Sequence, residues 1–108
     1  SPSNKVEYAN VYYRELDDPE TAVSILSDLQ NEYSKIENMV KIKGLSSISN
    51  NSWEKWQKAF PDIVSSLVYI YKSTNQNNEA EGVLVDWISR FPNDSNAKKL
   101  LEEVRNPD

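Results

Sequence analysis

Apolar residues recur along this chain at helical spacing and not with the alternation of a strand. From Asn4 to Leu16 they fall at Val6, Ala9, Tyr13 and Leu16, with Val11 and Tyr12 on the flank. Asp17-Asp18-Pro19 stops that helix. Proline has a helical φ and no amide hydrogen, so Pro19 fits the first turn of a second helix, with Asp18 as N-cap and Glu20 against the dipole. The second helix is predicted to run to about Asn31, presenting Ala22, Val23, Ile25, Leu26 and Leu29. Residues 4–31 therefore read as two antiparallel helices joined by a short turn.

Residues 33–48 are periodic again through Tyr33, Ile36, Met39, Val40, Ile42, Leu45 and Ile48, although Gly44 weakens the last turn by about 1 kcal/mol. Ser49-Asn50-Asn51-Ser52 reads as a loop, with Ser52 capping a short helix that carries Trp53, Trp56, Ala59 and Phe60. A residue before proline avoids the α region, so Phe60 is predicted as a corner ahead of Pro61, with a kinked continuous helix as the alternative. Helices over 62–74, 79–91 and 96–105 complete the pattern, separated by Asn75-Gln76-Asn77-Asn78 and Pro92-Asn93-Asp94-Ser95. About seven helices and no strand emerge, an all-α chain whose hairpins must stack on neighbours to bury a core.

At 108 residues the chain is expected to form one domain. Its composition, 38% hydrophobic and 27% charged, suits a thin two-layer helical stack better than a sphere. The net charge of −5, with no run of Lys or Arg longer than two, argues against a nucleic-acid or lipid-headgroup surface. No apolar run reaches the roughly 20 residues that span a bilayer, so no membrane insertion is expected. Ser1-Pro2-Ser3 and Asn106-Pro107-Asp108 read as linkers, and the chain is expected to be an excerpt of a longer protein. Without cysteine there is no disulfide framework, one reason fewer to expect secretion. An intracellular, cytoplasmic setting is the expectation.

Catalysis finds few parts. Histidine and cysteine are absent, removing the commonest general base, metal ligand and thiol nucleophile. Asp17-Asp18 reads as a helix-ending turn and Glu102-Glu103 as a solvated helix face, where adjacent residues diverge. Gly44 and Gly82 both sit inside helical patterns, so no phosphate loop forms, and no calcium loop appears. No catalytic residue, metal site, cofactor or small-molecule substrate is expected. Two glycosylation sequons, at Asn50 and Asn93, are what roughly chance would yield in a chain with 12 Asn and 14 Ser.

Residues 61–94 resemble a tetratricopeptide repeat, whose pattern is W-x2-L-G-x2-Y…A-x3-F…P. Leu67, Tyr71, Ala80 and Pro92 match it, while Val64, Val68 and Leu84 stand at the Trp, Gly and aromatic positions. Residues 3–36 carry the same frame more faintly in Val6, Ala9, Tyr13, Ala22 and Leu26, with Asn10 and Ser34 at the Gly and Pro positions. Trp87 falls where the family prefers alanine. The resemblance implies a right-handed α-solenoid of antiparallel helix hairpins: units 3–36 and 61–94, an irregular insert 37–60 and a capping helix 95–105. It also implies close helix crossings at Ala22 and Ala80, with Tyr13 and Tyr71 alongside.

By the same resemblance, a concave surface is lined by the first helix of each hairpin. That places Asn4, Glu7, Tyr8, Val11 and Arg14 on it from one unit, and Asp62, Ser65, Ser66, Tyr69 and Lys72 from the other. Chaperone-binding members hold a C-terminal carboxylate with Lys, Asn and Arg. Here Glu7, Val11, Ser65 and Tyr69 occupy those places, so that clamp is missing. The expected function is a non-enzymatic scaffold that binds a peptide or helix of a partner protein within a multiprotein complex. The alternative is an assembly subunit, homo- or hetero-oligomeric, packing through edge helices and Trp53, Trp56 and Trp87. Trp53, Trp56 and Phe60 themselves read as core before they read as an exposed patch.

Overall fold

Side-chain caps start four of the five helices in the structure, a computed structural model that describes residues 1–107, the side chain of Asn50 excepted. Helix α1 (Pro2–Arg14) starts on Ser1, whose hydroxyl accepts from the Asn4 amide at 3.3 Å. The stretch expected to be an N-terminal linker is thus its first turn, and Pro2 is buried. Asp108, the end of the other expected linker, lies outside the described residues. Helix α2 (Pro19–Lys43) starts on Asp18 as predicted: one carboxylate oxygen accepts from the Thr21 amide at 3.1 Å, the other from the Thr21 hydroxyl at 2.6 Å. Between the two helices Asp17 takes a positive φ of 50°, which lets the chain reverse within four residues.

Two predicted breaks are absent. α2 runs unbroken past Asn31, because Leu26, Leu29, Tyr33 and Ile36 continue one buried stripe and neither Gly nor Pro interrupts it. Gly44 ends this helix and does not merely weaken it. Its φ of 85° is open to glycine, and its amide donates to the Val40 carbonyl. A 3-10 turn, Leu45–Ser47, follows.

Helix α3 (Asn50–Ser73) begins one turn earlier than expected, since Ser49 and not Ser52 supplies the capping hydroxyl, accepting from the Ser52 amide at 3.2 Å. It continues through Pro61, so Phe60 is no corner. An interior proline forfeits a backbone bond and costs about 3 kcal/mol. Burial of Ala59, Phe60, Ile63 and Val64 around it offsets that cost, and Pro61 and Gln57 face solvent, where the freed Gln57 carbonyl can be hydrated. With both segments fused, the seven expected helices become five among the described residues, and no strand occurs there.

α3 ends in a Schellman motif with Asn75 at φ 62°. The Gln76 amide donates to the Tyr71 carbonyl and the Asn75 amide to the Lys72 carbonyl. Helix α4 (Asn77–Arg90) follows at once, and helix α5 (Ser95–Arg105) starts on Asp94, which accepts from the amides of Asn96 and Ala97.

The chain divides into two compact units, residues 1–66 and 67–108, with α3 contributing to both. In the first, α1 packs on α2, with Val6, Ala9, Ala22, Leu26 and Leu29 buried. Tyr33 carries the core on to α3, its ring 4.4 Å from Phe60 and stacked on Trp53 at 5.7 Å. In the second unit α4 packs on α5, with Leu67, Val68, Ile70, Ala80, Val83, Leu84, Trp87, Ala97 and Val104 buried. Ala22 and Ala80 are fully enclosed, and Tyr13 and Tyr71 are half-buried.

Candidate functional site

In the first unit, α1 and α3 line a shallow cavity of about 320 Å³. Four residues expected on a binding surface meet there, Glu7 from α1 with Asp62, Ser65 and Ser66 from α3. Helical spacing explains the grouping: Asp62, Ser65 and Ser66 lie on one side of their helix, three and four residues apart. The Asn10 amide nitrogen donates to the Ser66 hydroxyl at 3.3 Å, tying the two helices together across the cavity. Sequence reasoning gave Asn10 only a position in the repeat frame; nothing in its local pattern announces the partner 56 residues away.

Both charged groups lining this cavity are carboxylates, Glu7 and Asp62, beside the hydroxyls of Ser65 and Ser66. The arrangement offers hydrogen-bond acceptors and hydroxyls to a ligand rich in donors. Among the described residues no group of three or more acidic, His or Cys side chains converges on a metal-sized site.

The remaining α1 residues of the expected surface, Asn4, Tyr8, Val11 and Arg14, are exposed and lie outside that cavity. Tyr8, 57% exposed, meets Tyr12 edge to face with centroids 5.2 Å apart and hydroxyl oxygens at 3.2 Å. That hydrogen bond, with the charge Tyr8 would carry, holds the Tyr12 phenol above its ordinary range. Tyr69 and Lys72 belong to the second unit, both exposed. The Lys72 ammonium stands 3.9 Å from Glu103 on α5, while Arg105 on α5 pairs with Glu81 on α4 at 3.0 Å. Exposed pairs of this kind contribute roughly 0–1 kcal/mol each.

A second cavity of the first unit, about 410 Å³, went unseen in the sequence. Lys5 of α1, Ile25, Asp28, Leu29 and Glu32 of α2 and Trp56 of α3 line it. The signal existed: Ile25, Asp28, Leu29 and Glu32 share one helix side, but their partners on the other helices are set by packing.

The tryptophans divide. Trp87 is 1% exposed and belongs to the core, so it is no edge contact. Trp53 and Trp56 are half-buried, while Phe60 is fully enclosed. The exposed apolar side chains include Met39 and Ile42 (73% exposed) near the end of α2 and Leu45 in the turn that follows. No helix among the described residues is long and apolar enough to cross a membrane. Comparison with known proteins adds no relative: no family model matches the chain, and no curated protein or solved structure matches it significantly.

Proposed function

We propose that this chain is a non-enzymatic protein-interaction domain, similar to tetratricopeptide repeats, that binds a peptide or helix of a partner within a multiprotein complex. One observation carries the reading. Four of the residues that the repeat frame assigns to a binding surface, drawn from two helices distant in sequence, line a single cavity. The enclosed Ala9, Ala22 and Ala80 support the repeat-like reading, since small residues at those positions let paired helices approach closely. The right-handed solenoid and the intracellular setting belong to the same proposal. The acidic lining favours a partner segment that brings amide, ammonium or guanidinium donors.

Charge reversal tests this. Glu7→Lys with Asp62→Lys should abolish capture of the partner while far-UV circular dichroism stays unchanged. Capture equal to wild type would remove the cavity from consideration.

A second reading is favoured by the exposed Met39, Ile42 and Leu45: an assembly subunit that packs through the end of α2. Sedimentation that depends on concentration, and that Ile42→Asp with Leu45→Asp abolishes, would support it.

A further inference from the structure

The cavity of Lys5, Ile25, Asp28, Leu29, Glu32 and Trp56 shares no residue with the proposed partner groove, and it has a chemistry of its own. Its apolar lining is Leu29, buried, with Ile25 and Trp56, both half-buried. Asp28 and Glu32 sit one helical turn apart on α2, so their carboxylates lie on the same side. Among the described residues neither carboxylate makes a hydrogen bond or ion pair, and neither does the Trp56 indole N–H. The Lys5 ammonium, the one cation of the lining, is also unpaired, so two negative charges face one positive.

We propose that this cavity receives a basic side chain, arginine or lysine, presented by a partner protein. Each part of such a side chain has a counterpart. The methylene stem packs on Ile25 and Leu29. Indole attracts cations more strongly than any other side-chain ring, which gives the head group a reason to lie against Trp56. Two carboxylates a turn apart accept hydrogen bonds from a guanidinium, whose donors are fixed in a fork, and attract an ammonium as a point charge. The volume falls at the small end of the range for ligand pockets, about 300–1,000 Å³. Lys5 opposes the incoming charge and weakens the site.

The test uses the full chain and two probes of nearly the same shape, N-acetyl-arginine amide and its uncharged counterpart N-acetyl-citrulline amide. The readout is the Trp56 indole N–H signal in heteronuclear NMR, assigned by Trp56→Phe. Arginine amide should shift that signal saturably and citrulline amide should not. Asp28→Asn with Glu32→Gln should weaken binding about tenfold or more, and Lys5→Ala should strengthen it several-fold, because charge assistance dominates such contacts. An equal response to both probes, or binding unchanged in the Asp28→Asn, Glu32→Gln variant, would overturn the proposal. So would a signal that moves with protein concentration and ignores the probe, which would assign the cavity to a second copy of this chain. Asp28, Glu32 and Lys5 lie at exposed positions, and unchanged amide spectra elsewhere report an intact fold.

Discussion

The buried indole of Trp87 donates its N–H to one carboxylate oxygen of Asp94 at 3.1 Å, while the other oxygen of that carboxylate caps the first turn of α5. One side chain thus satisfies a core donor and two helix-end amides. A tryptophan where the repeat pattern prefers alanine is accommodated by this bond and not by exposure to solvent.

Asp94→Ala should therefore cost more than a lost cap. Losing the cap costs about 1 kcal/mol, and leaving the indole donor unsatisfied adds about 1–3 kcal/mol. A drop of about 2–4 kcal/mol in urea denaturation is expected, and Asp94→Ala in a Trp87→Phe background should cost markedly less.

Ala22 and Ala80 are fully enclosed, which leaves larger side chains there no solvent to move into. Ala22→Leu or Ala80→Leu should each destabilise the fold by about 1–3 kcal/mol through overpacking. Thermal melts of the two variants check this, and a melting temperature equal to wild type would mean that the crossings are loose.

Pro61 costs α3 a backbone bond at an exposed position. Pro61→Ala restores an amide that can donate to the Gln57 carbonyl, and stability should rise by about 1–2 kcal/mol after the unfolded chain's gained freedom is counted. Denaturant midpoints at a constant m-value measure it.

Hydrogen bonds from the Thr21 side chain and then its amide hold the Asp18 carboxyl below the usual carboxylate range, against a small opposing effect of burial. A group depressed in the folded state stabilises above its unfolded pKa, and that stability is lost as pH falls through the folded value. The Asp18 contribution should thus be present at neutral pH and disappear in the acid range, below about pH 4. Carbon-detected NMR titration should find Asp18 low in the wild type and nearer ordinary in Thr21→Val.

Much of the fold is legible in the residues themselves. Helical periodicity, the Asp18 cap, the turn at Asn75 and the start of α5 all depend on neighbours in sequence. The two joins at which the structure departs from the expectation depend on partners far away. Phe60 stays helical before a proline because its ring packs on Tyr33 from α2, and the helix passes Asn31 because Tyr33 and Ile36 extend the buried stripe toward that contact. The site shows the same split. Glu7, Asp62, Ser65 and Ser66 are placed together by the repeat resemblance, whereas Asn10 joins them through a bond to Ser66, and the Trp56 cavity needs three helices assembled before it exists.

Affinity capture from cell extract with three forms of the chain tests the interaction account most directly: wild type, Glu7→Lys with Asp62→Lys, and Ile42→Asp with Leu45→Asp. The account predicts a specific partner that the wild type and the α2-end variant retain and the cavity variant loses. A partner kept by the cavity variant and lost by the α2-end variant would contradict it.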